Sequence, residues 1–355
     1  MDWGLIKNLI AFPLIISFFV SLITTPLAIK FGWKFKLLDD SHKRKHPAHT
    51  HKGIIPRGGG IPIYLALLTT SLVFLPFDQY LRGILAGATV MVIIGLLDDR
   101  FDLNPYLRLV ANFLAAACVV VSGIGITFVT NPFNGVINLA PLWATLIGLL
   151  WIVFLANTVN WSKGFDGQLP GIVAIAALTV AAFSFRYSAD ITQWPIAILA
   201  SITAGAYLGF LPFNFYPQKI MPGYGGGTLA GFMIAVLALL STSKILTAMV
   251  VLGIPLIDAG YSILRRILTG RSPVWGDRGH LHHKFLDEWR WGKRRTAIFY
   301  WLITVLLGIL ALSLNSQQKF YTIIMLAVII GGLLLWFNFS SIYLKVFGQN
   351  RHSKT

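Results

Sequence analysis

Two adjacent carboxylates, Asp98 and Asp99, close an apolar run that begins near residue 80 and ends before Asn104 and Pro105. At the C-terminal end of a helix such charges face the negative end of the macrodipole, which is unfavourable unless a cation lies beside them. A divalent metal or facing lysines would meet that need. A second apolar run ends in Asn157, Asn160, Lys163 and Asp166. The two asparagines are three apart and share a helix face, and Asp166 sits between Gly164 and Gly167, where the backbone can approach a ligand closely. Further on, Asn214, Pro217 and Lys219 precede the glycines Gly225 to Gly227. A glycine run that opens a helix offers free N–H groups to an anion.

The segment from Arg265 to Arg295 carries His280, His282 and His283 between Arg278 and Lys284. Three histidines in four residues could ligate zinc, although no cysteine and few acids lie nearby; imidazoles flanked by cations better suit contact with phosphate oxygens or proton handling. A basic stretch from Lys43 to Lys52 leads into Gly58 to Gly60 and adds a second cationic, glycine-bearing segment. Asp258 is the one acid inside an apolar run, a position that is functional by default. Arg265 lies seven residues on, two turns along the same face, and a structural ion pair between them keeps Asp258 out of the predicted site.

Paired acids, carboxamides, glycine loops, histidines and many cations suit phosphoryl transfer, where chemistry is mostly positioning and neutralisation of charge, usually with Mg²⁺. The elements that carry these groups place that chemistry at a membrane. Of 355 residues, 56% are hydrophobic and 12% charged, with a mean hydropathy of +0.71. Soluble chains carry roughly a quarter charged residues, so the apolar surface must face lipid. The single cysteine, Cys118, excludes a disulfide framework. The first apolar segment lacks a basic leader and a small-residue cleavage pattern, and reads as a retained span.

A span needs about 20 apolar residues. That ruler gives eleven candidates, near 9–31, 58–77, 80–97, 104–124, 142–160, 169–186, 193–212, 225–243, 245–264, 296–314 and 320–343. The predicted fold is an all-α polytopic helix bundle forming one domain over 1–355. Its inner loops fall at about 32–57, 98–104, 161–168, 213–224 and 265–295. With the N-terminus outside, the outer segments hold only Lys7, Arg82, Arg186, Lys244 and Lys319 of the 29 basic residues, and the C-terminus is cytoplasmic. All eight histidines fall on the inner face. Anionic lipid headgroups account for part of such an asymmetry, and a phosphate-bearing substrate for the rest. No recognition module for nucleic acid is present. A transporter would place charged or broken helices at mid-membrane, whereas the polar residues here cluster at inner span ends.

The order of these motifs, Asp98-Asp99 with Pro105, Asn157 and Asn160 with Gly164, Asp166 and Gly167, Asn214 with Pro217, and His280, His282 and His283, resembles the polyprenyl-phosphate N-acetylhexosamine-1-phosphate transferase family. That family includes undecaprenyl-phosphate N-acetylglucosamine-1-phosphate transferases and the phospho-MurNAc-pentapeptide translocase. The resemblance runs roughly from Leu38 to Arg295. It implies a ten- or eleven-helix bundle in the cell membrane, among membrane lipids, whose cytoplasmic face takes a UDP-linked amino sugar and a polyprenyl phosphate. It also hints at a homodimer. The lipid phosphate attacks the β-phosphate, giving polyprenyl-diphospho-sugar and UMP with Mg²⁺, or Mn²⁺ in its place.

By position the resemblance assigns Asp98, Asp99 and Asp166 to catalysis and Asp99, Asn160 and Asp166 to the metal. Substrate contacts fall to Lys52, Asn157, Lys163, Lys219, Arg278, His280, His282 and His283. The spacing of the histidines resembles the N-acetylglucosamine-type enzymes more than the muramyl-pentapeptide translocase. Two positions depart from the family pattern. Lys163 stands where the first acid of an Asp-Gly-x-Asp-Gly motif is expected, and Tyr224 stands where a Met-Gly-Asp-x-Gly-Ser loop places a Mg²⁺-binding acid. A phenol is a poor Mg²⁺ ligand, so Asp98, Asp99 and Asp166 hold the metal together with the substrate phosphates, Lys163 takes over part of its charge-neutralising role, or the chain binds its ligands without catalysis.

Overall fold

The computed structural model describes residues 3–41, 50, 53–131, 135–240, 243–272 and 279–347. Among these, helices α1 (Trp3–Lys34), α3 (Gln79–Phe101), α5 (Pro141–Trp161), α6 (Gln168–Arg186), α7 (Trp194–Asn214), α12 (Lys293–Ser313) and α13 (Ser316–Phe347) contain segments long and apolar enough to cross a membrane. The pair α9 (Ser243–Val251) and α10 (Gly253–Leu268) passes the same test as one unit bent by 78°. Its break lies where Pro255, lacking an N–H, cannot bond to the Val251 carbonyl. The chain is therefore a polytopic α-helical membrane protein, with seven or eight such spans among the described residues.

Three expected spans form the shorter apolar helices α2 (Gly60–Phe74), α4 (Pro105–Val121) and α8 (Gly223–Leu239). The expectation of one straight span over 245–264 is replaced by the bent pair. The connections hold a short helix, α11 (Leu281–Asp287), and two antiparallel hairpins, β1 (Leu38–Asp40) with β2 (Ile54–Pro56) and β3 (Phe128–Thr130) with β4 (Val136–Asn138). The all-α expectation missed these strands, which are only three residues long and too short for an alternating pattern.

Helix α8 is the central post, buried at every residue from Gly223 to Leu239 and packed against α2, α3, α5 and α9. At the other extreme, Phe12, Ile15, Phe19, Ile23 and Leu27 line an exposed apolar stripe on α1, as a lipid-facing helix requires. Where α8 crosses α3, a Cβ on Gly95 would run into the Gly225 backbone. Small residues let membrane helices approach to backbone contact. The glycine run at Gly225 to Gly227 therefore serves helix packing. It does not form the anion cradle suggested by sequence: the Gly226 N–H is bonded to Pro222 O and the Tyr224 N–H to Asp99.

Candidate active site

Asp98 and Asp99 lie in the last turn of α3 and are each 1% exposed. Asp102 ends that helix in a left-handed conformation (φ 52°). Asn104 then caps α4 by accepting from the Tyr106 N–H at 2.9 Å, with Pro105 in the first turn. This tight corner returns the chain beside α3, so that Arg108 reaches Asp98 Oδ1 at 3.1 Å. Asp99 Oδ1 meets Arg57 Nε at 3.0 Å, from the loop after β2, and accepts the Tyr224 N–H at 3.0 Å. The cation that the sequence demanded is thus met by two guanidinium groups and by the positive N-terminus of α8. Burial works against the Arg57 charge, but Asp99 and its neighbours outweigh it and raise the Arg57 pKa.

Lys163 enters the same cluster from the 161–168 loop and donates to Gly223 O at 2.9 Å. The Tyr224 ring lies between Arg108 at 5.2 Å and Lys163 at 5.7 Å, with its hydroxyl 3.1 Å from Asn112 Nδ2. Asn112 also donates to Asn157 Oδ1 at 3.3 Å, while Asn157 Nδ2 turns back to Val153 O. Burial, with Arg57 and then Arg108 acting in the same direction, lowers the Lys163 pKa to about 8 against the pull of Asp99 and Asp98.

A second cluster gathers the histidines. His280 Nδ1 lies 2.9 Å from Asp258 Oδ2, and Asp258 Oδ1 accepts the Leu281 N–H at 2.9 Å. Asp258 therefore grips the start of α11. The expected Asp258–Arg265 pairing is replaced by this contact, because Arg265 packs against Gly279 instead. The His280 and His282 rings stack at 5.6 Å, and Trp161 and Phe165 close the cluster at 5.8 Å from His280 and 5.9 Å from His282. A Cβ on Gly164 would run into the His282 ring, so the 161–168 loop, which gives Lys163 to the acidic pair, also makes room for the imidazoles.

Other expected residues are placed differently. Asp166 is paired with Lys293 Nζ at 3.1 Å and accepts the Gln218 N–H at 3.2 Å. Asn214 accepts the Gly167 N–H and donates to Ile220 O, stitching two loops together. Lys219 is exposed, and Lys52 and Arg278 fall outside the described residues. Sequence reasoning omitted Arg57, Arg108, Asn112, Asp258 and Lys293 from the site. Arg57 adjoins the Gly58 to Gly60 run, and Arg108 and Asn112 are four apart, one face of the helix that Pro105 opens.

The expected Mg²⁺ ligand set of Asp99, Asn160 and Asp166 does not fit a resident divalent cation. Asp98 Oδ2, Asp99 Oδ2 and Asn160 Oδ1 are buried without hydrogen-bond partners, but Asp166 is engaged with Lys293. Among the described residues no three acids, imidazoles or thiols group closely enough to hold a metal ion. Arg57, Arg108 and Lys163 already bracket Asp98 and Asp99, and the phenol of Tyr224 lies beside two of these cations, whereas hard cations seek anionic oxygen.

Fold and site together define a polytopic membrane protein with a buried, cation-rich cluster at one end of its helices, suited to phosphate-bearing ligands. The glycosyl transferase family 4 model matches residues 81–242. A 337-residue match, at 27% identity, covers 93% of this chain and 91% of a probable undecaprenyl-phosphate N-acetylglucosaminyl 1-phosphate transferase of Bacillus subtilis (strain 168). The decaprenyl-phosphate N-acetylglucosaminephosphotransferase of Mycolicibacterium smegmatis is 29% identical over 83% of this chain and 79% of its own length. The undecaprenyl-phosphate alpha-N-acetylglucosaminyl 1-phosphate transferase of Escherichia coli (strain K12) is 31% identical over 72% of this chain and 71% of its own length. The chain belongs to glycosyl transferase family 4.

Proposed function

We propose that the protein transfers an N-acetylhexosamine 1-phosphate from a UDP-sugar to a polyprenyl phosphate, releasing UMP and starting the synthesis of a cell-envelope glycan. The observation that carries this reading is the buried Asp98–Asp99 pair bracketed by Arg57, Arg108 and Lys163 in a chain whose relatives carry the transferase names above. Two anionic reactants repel each other, and fixed cations that meet them offset that repulsion. Arg57, Arg108 and Lys163 hold the phosphates, Asp98 and Asp99 orient those cations, and His280, His282 and His283 contact the diphosphate. Lys52 and Arg278 are proposed as further substrate-binding cations.

The proposed topology has eleven spans, with α2, α4 and α8 crossing beside the longer helices. The N-terminus is outside and the site faces the cytoplasm of the cell membrane, where nucleotide sugars are found. A homodimer is the proposed assembly. The test is UMP release by purified protein given undecaprenyl phosphate and a panel of UDP-sugars, with and without Mg²⁺. Release with UDP-N-acetylhexosamines is expected; no release with any sugar, under either condition, overturns the reading.

A further inference from the structure

We propose that Lys163 is the resident cation of this site and that sugar-phosphate transfer proceeds here without a divalent metal ion. The inference rests on the transferase reading and concerns how its phosphates are held. Lys163 follows Asn160 by three residues, and its stem passes over Gly227 before its ammonium meets Gly223 O at 2.9 Å. A Cβ on Gly227 would run into Asn160 Oδ1 and press on Lys163 Cδ at 3.3 Å, and a Cβ on Gly223 would run into Asp99 Oδ2. Two glycines of α8 therefore form one floor on which the lysine and the unpartnered oxygens of Asn160 and Asp99 converge. Oxygens of this kind are what a dication would seek, and the Lys163 ammonium is anchored on the same floor, at Gly223 O.

Charge distribution points the same way. Arg57 is engaged with Asp99 and Arg108 with Asp98, whereas Lys163 forms no ion pair with any acid among the described residues. Its charge is the one left over for an incoming anion. An ammonium carries three donors; one is spent on Gly223 O, leaving two for phosphate oxygens. In the step itself, an oxygen of the lipid phosphate dianion bonds to the β-phosphorus of the nucleotide sugar. The bond from that phosphorus to the bridging oxygen breaks, its electron pair leaves on the α-phosphate as UMP, and the sugar stays with the β-phosphate. Two dianions become two dianions, so no proton need be moved. The site's task is to hold negative charge, which fixed cations perform without a metal.

The full-length protein, stripped with EDTA, is assayed for UMP release and, separately, for UDP binding by titration calorimetry in EDTA and in Mg²⁺. Release in EDTA within about threefold of the Mg²⁺ value, and equal UDP affinity in both, are expected; in a wholly metal-dependent site the loss is on the order of 10²-fold or more. Lys163→Met is expected to lose UDP binding in EDTA, and Lys163→Arg to keep it. Should Lys163→Met fail to fold, the Lys163→Arg protein and the wild-type comparison still decide the matter. A strict Mg²⁺ requirement for both release and UDP binding overturns the inference and leaves the transferase reading intact. UDP bound equally in EDTA and Mg²⁺, with no UMP release from any sugar, overturns the transferase reading while supporting the lysine's role.

Discussion

At Lys163 one side chain sets both charge and pH range. Burial brings its pKa to about 8, so it is charged below that pH and loses its proton above it. Activity that depends on the ammonium is expected to be level up to about pH 8 and to fall roughly tenfold per unit beyond. Lys163→Arg is expected to move that alkaline limb upward, because guanidinium stays protonated; a pH–rate profile with the same limb in both proteins would assign it to another group. Asp258 makes a different point. The carboxylate 2.9 Å from His280 Nδ1 fixes which ring nitrogen faces the site. Asp258→Asn is expected to lower kcat by about 10–100-fold through the wrong tautomer, read together with the nitrogen NMR shifts of labelled histidine. A normal rate and unchanged shifts would reduce the contact to a structural one. The acidic pair was legible in sequence because acids at an apolar run's end are conspicuous. Asp258 was misread, since a seven-residue spacing says which groups share a face but not which group a distant loop brings to it.

Among the elements, the 161–168 loop and the start of α8 do most to build the site. The loop sends Lys163 to the acidic pair, and the next residue, Gly164, leaves room for the His282 ring. Neither relation could be read from spacing, because both partners come from elements more than 50 residues away. The helices themselves were legible from hydropathy. Their crossings were not, since lipid-facing and buried apolar residues look alike, and the glycines of α8 were mistaken for an anion cradle. The crossing of α3 and α8 gives a graded test. Gly95→Ala, whose new methyl would meet backbone, is expected to destabilise by about 1–3 kcal/mol. Gly225→Ala, with its nearest atom at 3.3 Å, should cost less. Gly260→Ala in α10, with nothing within 4 Å, should cost nothing measurable. Thermal unfolding in detergent gives the order, and equal losses at all three would mean that this crossing is not tight.

Over the whole molecule, the net charge of +16 becomes more lopsided once burial is known. Lys244 and Lys319, counted as outer charges, are 0% and 4% exposed, with their ammonium groups on Gln193 Oε1 and Thr247 Oγ1. They act as internal donors, and their charges are withdrawn from the outer surface. Of the cations expected outside this leaves Lys7, Arg82 and Arg186, set against Asp78 and Asp190 among the described acids, so the expected outer face carries little net charge while the site end carries the excess. Such a distribution favours retention of the basic end in the cytoplasm and draws anionic lipid and nucleotide to it. The orientation is testable without any activity. In a Cys118→Ser background, Ala189→Cys lies in the exposed turn between α6 and α7, and Arg271→Cys lies beyond α10 at the histidine end. A membrane-impermeant maleimide applied to intact cells is expected to label position 189 and to reach position 271 only after lysis. The reverse pattern would turn the molecule over, placing the cationic cluster outside, away from any nucleotide sugar.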